Sequence, residues 1–141
     1  MNIIKLAYFI FCLFYSLISE SAEIPDGFFK ALGQVESGQN PKAIGDNGRS
    51  IGIFQIQKVC WLDAINFDKT TSGKYENCLE IEYSKKILKA YLNRYCLQAI
   101  KNNDFETMAR IWNGGPFGCR KESTKKYWNK IKKELDKYDK I

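Results

Sequence analysis

Histidine is absent from all 141 residues of the chain. Neither a Ser-His-Asp triad nor a Cys-His pair can therefore be built from it. If the chain is an enzyme at neutral pH, its proton transfers fall to carboxylates, lysine, tyrosine or cysteine. The cysteines form no Cys-x-x-Cys pair, so we expect no metal site, and we predict no cofactor.

Long apolar runs are also scarce, and the longest of them lies near the N-terminus. Residues 6–18 are almost continuously apolar, but the run is shorter than the roughly 20 residues of a membrane span. Lys5 precedes it and small residues follow it, a pattern typical of a secretory signal peptide. We predict a signal peptide at residues 1–21 and one extracellular domain at residues 22–141. The alternative is an N-terminal membrane anchor.

Four cysteines remain in the predicted mature domain, and an even number in a secreted chain indicates two disulfides. Three pairings are possible. A Cys60–Cys78 bridge would close a polar surface loop, and a Cys96–Cys119 bridge would hold a glycine-rich loop against the scaffold. We therefore expect these two local bridges.

The formal net charge is +6. Such an excess suits an anionic partner such as nucleic acid, an acidic polysaccharide or a bacterial surface. A basic surface that only keeps the protein soluble is the alternative, and charge alone does not separate the two.

Apolar periodicity predicts five helices and one hairpin. Asp26 is expected to cap the first helix, and Asn47-Gly48 is expected to form a tight hairpin turn. Gly52, within the hairpin's second strand, predicts a close approach by another backbone or a ligand. The predicted helices cover residues 25–37, 58–67, 79–101, 105–111 and from 123 or 124 to 138, and the hairpin covers residues 42–57.

Two carboxylates flank this hairpin turn. Glu36 lies in the last turn of the first helix, where the negative end of the helix dipole raises the pKa of a carboxyl group. Asp46 lies beside the turn and near Arg49, which favours a low pKa. The alternatives are a solvated Glu36 and an Asp46 that only bonds its own backbone. The loop at residues 113–116 either approaches a ligand or simply connects two helices.

Several sequence blocks occur in an order that resembles the lysozyme superfamily, closest to the invertebrate-type lysozymes and destabilase. The same blocks also look like lytic transglycosylases and goose-type lysozymes. The blocks are Glu-Ser-Gly at 36–38, Gly-Ile-Phe-Gln-Ile at 52–56, Tyr-Leu-Asn-Arg-Tyr at 91–95, Trp-Asn-Gly-Gly-Pro at 112–116 and Tyr-Trp-Asn-Lys at 127–130.

This resemblance implies an α+β, mostly α, lysozyme-like fold with a small antiparallel sheet beside the active-site cleft. It implies cleavage of the β-1,4 bond between N-acetylmuramic acid and N-acetylglucosamine in bacterial peptidoglycan. Glu36 matches the general acid, and Asp46 matches the nucleophile or stabilising carboxylate. The residues that would bind substrate are Gln55, Tyr91, Trp112, Asn113 and Gly114.

Three hypotheses follow from the resemblance. The chain is a retaining muramidase using Glu36 and Asp46, a transglycosylase-like or goose-type enzyme using Glu36 alone, or a glycan-binding protein without activity. The presence of both carboxylates favours the first. We expect a secreted monomer whose partner is peptidoglycan, with no nucleic acid partner and no stable membrane association.

Overall fold

The computed structural model describes residues 22–138, so the predicted signal peptide lies outside the described residues. Within them, five α-helices accompany a small three-stranded antiparallel sheet, which confirms the predicted mostly helical α+β class. The helices are α1 (Asp26–Ser37), α2 (Lys58–Phe67), α3 (Ile81–Lys101), α4 (Phe105–Gly114) and α5 (Thr124–Tyr138); the strands are β1 (Ile44–Gly45), β2 (Ser50–Ile51) and β3 (Ile56–Gln57).

The longest helix, α3, forms the centre of the packing. It contacts α2 on one side and α4 on another, while α5 packs against both α1 and α4. The apolar stripe predicted for α3 is buried at Ile87, Leu88, Tyr91 and Leu92. Cys96 has non-helical backbone angles, so the helix is kinked there. No helix between residues 22 and 138 has the length and apolarity needed to cross a lipid bilayer.

Three helix boundaries differ from those predicted. Asp26 is the first residue of α1 rather than its cap, and its carboxylate pairs with Lys30 at 2.9 Å. Residues 75–79 form a separate 3₁₀ helix, so α3 begins at Ile81. Helix α4 continues past Ile111 through Gly114 and ends at Gly115, whose φ is +82°. The prediction that this helix ends at residue 111 and that residues 113–116 form a loop is therefore wrong for Asn113 and Gly114.

The hairpin is present, but its loop is longer than predicted and its second strand is divided into two. Gly45 pairs with Ser50 and Ile44 with Ile51, so four residues form the loop in place of a two-residue turn. Three consecutive loop residues, Asp46, Asn47 and Gly48, have positive φ. The predicted second strand is in fact two, because β3 pairs antiparallel with β2 across a turn at residues 52–55.

Gly52 is the residue at which this second turn meets the rest of the fold. Its φ is +80°, and a Cβ atom added there would lie 2.0 Å from the carbonyl oxygen of Cys78. The predicted close approach is confirmed, and the approaching group is another backbone. Gly52 therefore fixes the sheet against the 3₁₀ helix that precedes α3.

Replacing Gly52 by alanine should lower the free energy of unfolding by about 2 to 4 kcal/mol, because strain at positive φ adds to a backbone clash. Gly48→Ala is the matched control, since Gly48 also has positive φ (+88°) but open space around its Cβ position. It should cost only about 1 kcal/mol. Chemical denaturation measures both, and equal losses would show that the contact with Cys78 adds nothing.

Candidate active site

Glu36 owes its position to the way α1 ends. Gly38 adopts a left-handed conformation, and its N–H donates to the carbonyl oxygen of Gln34 at 3.1 Å. The Ser37 hydroxyl then donates to the carbonyl oxygen of Ile53 at 2.9 Å, which ties the helix end to the turn between β2 and β3. Glu36 is thereby held in the last helical turn, beside the sheet.

Asp46 lies at the start of the hairpin loop and is exposed to solvent. Its carboxylate accepts a hydrogen bond of 2.6 Å from the buried Ser50 hydroxyl. The Arg49 Nε donates to the main-chain oxygen of Asp46 at 3.0 Å, so the contact with Arg49 is made by the backbone of Asp46. The short link to Ser50 orients the carboxylate from within β2.

Both carboxylates line a single cavity of about 630 Å³. Helix α1, the hairpin, α2, α3 and the end of α4 all contribute to its walls. Six of the seven predicted catalytic and substrate-binding residues are brought together there: Glu36, Asp46, Gln55, Tyr91, Trp112 and Asn113.

Gly114 is the predicted site residue that does not line the cavity. A Cβ atom at Gly114 would lie 2.6 Å from the Cγ2 of Thr124, so this glycine permits close packing of α4 against the start of α5. Its neighbours Gly115 and Pro116 line the cavity instead. The glycine-rich loop does reach the site, one residue later than expected.

Gln55 reaches the cavity while bracing the sheet. Its side-chain amide donates to the carbonyl oxygen of Gly52 at 3.0 Å, and its φ is +52°. A Cβ atom at Gly45 would lie 2.0 Å from the Gln55 Oε1, so the side chain packs tightly on β1. The glutamine therefore supports the floor of the cavity as well as facing it.

Aromatic rings form the wall of the cavity between α3 and α4. Tyr91 meets Trp112 edge to face with ring centroids 5.6 Å apart, and it meets Tyr95 at 4.9 Å. The Trp112 indole N–H also lies near the Glu36 carboxyl group, where its hydrogen-bonding influence lowers the pKa of that group. One side chain thus belongs both to the aromatic wall and to the immediate surroundings of the acid.

Burial raises the pKa of Glu36 to about 6. The hydrogen bonds from Tyr127 and Trp112 oppose this rise, and the nearby charge of Asp46 adds to it. The predicted direction is correct, but the leading cause is removal from water rather than the helix dipole alone. A carboxyl with this pKa keeps its proton in mildly acidic solution, as a general acid requires.

Two parts of the site were not predicted. Tyr127 donates its hydroxyl to the Glu36 Oε1 at 2.5 Å, although its helical spacing indicated only core packing. Val59, Leu62 and Asp63 on α2 also line the cavity. They lie next to the aromatic wall, because the Tyr95 hydroxyl donates to the Asp63 carboxylate.

Among residues 22–138, no group of three or more cysteine and carboxylate side chains is placed to hold a metal ion. What the cavity does offer is a partly buried carboxyl group with a raised pKa, a second and exposed carboxylate, and an aromatic wall.

The sequence signature of the Destabilase family matches residues 27–134, which include every catalytic and substrate-binding residue predicted above. The chain belongs to the destabilase family. This destabilase-family chain is 35% identical over 107 residues to Lysozyme 1 of Crassostrea virginica, covering 72% of the chain and 55% of that protein. It is 32% identical over 115 residues to a lysozyme of Magallana gigas, covering 78% of the chain and 80% of that protein.

The fold of this destabilase-family chain also matches a solved structure. It superposes with a TM-score of 0.64 and 30% identity on a chain of the crystal structure of Aeromonas hydrophila PliI in complex with Meretrix lusoria lysozyme. The match covers 78% of this chain and 89% of the other. The chain spans only about half the length of the Crassostrea protein. What these comparisons show for the chain is its family and its fold.

Proposed function

We propose that the chain is a muramidase that hydrolyses the β-1,4 bond between N-acetylmuramic acid and N-acetylglucosamine in bacterial peptidoglycan. The observation that carries this proposal is the pairing of Glu36, with a pKa raised to about 6, and the exposed Asp46 in one cavity. The lysozyme names of its relatives support it.

In the proposed reaction Glu36 donates its proton to the glycosidic oxygen as the bond to the anomeric carbon breaks. The Asp46 carboxylate forms a covalent bond to that carbon from the other face of the sugar, or stabilises the developing positive charge. Glu36, now ionised, takes a proton from water, and the hydroxide oxygen displaces Asp46. The anomeric configuration is retained, and both carboxyl groups return to their starting states.

Product analysis tests this proposal. Purified peptidoglycan is digested, and the soluble products are separated and weighed by mass spectrometry. A muramidase gives products with a reducing N-acetylmuramic acid end. A 1,6-anhydro end would instead indicate intramolecular attack with Glu36 acting alone, and the absence of any cleavage would indicate a glycan-binding protein. Either of these two results would overturn the proposal.

The pH profile gives a second expectation. Glu36 must be protonated to act, so kcat/KM should be highest below pH 6 and fall as pH rises through about 6. Well above that value the fall should approach about tenfold per pH unit, since one proton is lost. Soluble oligosaccharide at constant ionic strength is the substrate to use. With whole bacterial walls, electrostatic attraction between the wall and a protein of net charge +6 would also affect the rate. An activity that stays constant to pH 8 would contradict the role of Glu36.

We further propose that the protein acts outside the cell as a monomer and that its cysteines are then oxidised. All four are unbonded thiols in this structure. An electrostatic interaction within each expected pair supports the pairing. Cys78 contributes to raising the pKa of Cys60, and Cys119 to raising that of Cys96, although burial is the main cause for both.

Peptide mapping of the secreted protein under non-reducing conditions should therefore yield Cys60–Cys78 and Cys96–Cys119 peptides. Each bridge closes a loop of roughly 20 residues, for which chain entropy gives about 3 kcal/mol of stabilisation. Reduction should accordingly lower the melting temperature. A Cys60–Cys119 or Cys60–Cys96 peptide would show that the bridges join distant segments and would contradict the local pairing.

A further inference from the structure

The Tyr127 hydroxyl donates a hydrogen bond of 2.5 Å to Oε1 of the Glu36 carboxyl group. Tyr127 belongs to α5 and lies 91 positions after Glu36 in the chain. Tyr127 lies on the inward stripe of α5 with Ile131 and Leu135, both of which are buried. The phenol is thus held by the core and points its one polar atom at the acid.

The other groups facing Glu36 come from α4 and the hairpin loop. The Trp112 indole N–H acts on the carboxyl group by lowering its pKa, and the Asp46 charge acts by raising it. No salt bridge joins Glu36 to a lysine or arginine within the part of the chain that the structure describes. Among the described residues, Tyr127 is therefore the side chain whose hydrogen bond orients the carboxyl group.

The tyrosine is a constant donor. Burial raises its pKa well above the usual range, and the Glu36 charge and hydrogen bond act in the same direction. A phenol that never ionises in the working range always offers its proton to Oε1. Because Oε1 of Glu36 accepts this hydrogen bond, it is the less favourable oxygen to carry the carboxyl proton. The carboxyl proton of Glu36 is therefore favoured on Oε2.

We propose that Tyr127 is a positioning residue that fixes the Glu36 carboxyl group through Oε1, so that Oε2 carries the proton delivered to the glycosidic oxygen. The inference rests on the proposed hydrolase function. The new element is that α5, through Tyr127, sets the orientation of the Glu36 carboxyl group. The hydrogen bond favours the ionised carboxylate, so the acid is oriented at some cost to its proton affinity.

Tyr127→Phe tests this proposal, since it removes the hydroxyl and keeps the ring. The pKa of Glu36, followed by NMR of its side-chain carboxyl carbon, should rise from about 6 by about one unit. The alkaline limb of the pH profile should move up with it. At pH 5 kcat should fall about tenfold, while KM changes less than about twofold, because orientation of the acid matters in the transition state.

Tyr83→Phe is the matched control. The Tyr83 hydroxyl donates to the carbonyl oxygen of Thr71 at 3.0 Å and accepts from Trp61, so its loss also removes buried hydrogen bonds. This variant should lose stability without moving the pKa of Glu36. If the pKa of Glu36 is the same in the Tyr127→Phe and Tyr83→Phe variants, Tyr127 does not position the acid.

A measurement on the unmodified protein keeps the test independent of how well the variant folds. The ring Cζ resonance of Tyr127 should titrate with the same midpoint as Glu36, and a flat Cζ signal between pH 4 and 8 would overturn the contact. Failure of the proposed function is distinguishable from this. It would appear as no cleavage by the unmodified protein, whatever the two resonances do.

Discussion

Glu36→Gln should reduce the rate of peptidoglycan cleavage by about 10²- to 10⁴-fold, the range attributed to a general acid. Glutamine keeps the shape of the side chain and its oxygen can still accept from Tyr127, which donates to Glu36 Oε1 at 2.5 Å. It has no acidic proton to give to the leaving oxygen. Initial rates of reducing-end release from a soluble oligosaccharide, at pH 5, measure the loss directly.

Folding must be shown to survive this change. The melting temperature should stay within a few degrees or rise, because neutralising a carboxyl group whose charged form is disfavoured by burial removes a desolvation cost. Glu82→Gln is the control, since Glu82 is an exposed residue that pairs only with Lys85 at 3.3 Å in α3. It should leave the rate unchanged. A Glu36→Gln variant that cleaves at the unmodified rate would show that Glu36 is not the acid.

The main elements of the fold were predictable because their signals are local. Helix α2 has the predicted bounds, residues 58–67, and α5 begins at Thr124 as one of the two predicted starts. Gly38 ends α1 in the left-handed conformation that such a residue indicates. In each case the apolar spacing and the residue at the helix end predict the same boundary, and tertiary packing does not change it.

The errors arose where distant contacts decide the local structure. Gly114 is a weak helix former, yet α4 continues through it because its missing side chain lets Thr124 pack closely. Gly52 begins a turn rather than lying within a strand because the Cys78 backbone approaches it. Neither Thr124 nor Cys78 is a sequence neighbour of the glycine that it contacts, so local patterns could not reveal the pair.

The candidate site likewise contains residues that the sequence predicts and a residue whose role depends on a distant contact. Glu36 was predicted because its block resembles a known family, and Asp46 because it lies beside the hairpin turn and matches the second carboxylate of that family. The cavity brings the two together. Tyr127 lies 91 positions from Glu36, and its spacing with Ile131 and Leu135 is that of an ordinary core stripe. Tyr127 belongs to one of the blocks that carry the family resemblance, but nothing in that block distinguishes a hydroxyl that acts on the acid from a ring that packs in the core.

Asp46→Asn should lower the cleavage rate by about 100-fold or more, because the variant loses the negative charge that faces the developing cation. Asparagine can still accept the hydrogen bond that Ser50 donates to Asp46 at 2.6 Å, so the hairpin should keep its shape. The pKa of Glu36 should also fall slightly, since the charge of Asp46 contributes to raising it. The first effect is measured by kinetics and the second by NMR of the Glu36 carboxyl carbon.

These two readouts separate the mechanisms. Asp136→Asn is the control, because Asp136 is an exposed residue that pairs with Lys132 at 3.2 Å and does not line the cavity. A large loss of rate with retained anomeric configuration in the unmodified enzyme supports Asp46 as the second carboxylate. If Asp46→Asn lowers the pKa of Glu36 but leaves the rate nearly intact, Asp46 influences the acid without acting on the sugar. Glu36 would then work alone, and anhydro products would be the expected outcome.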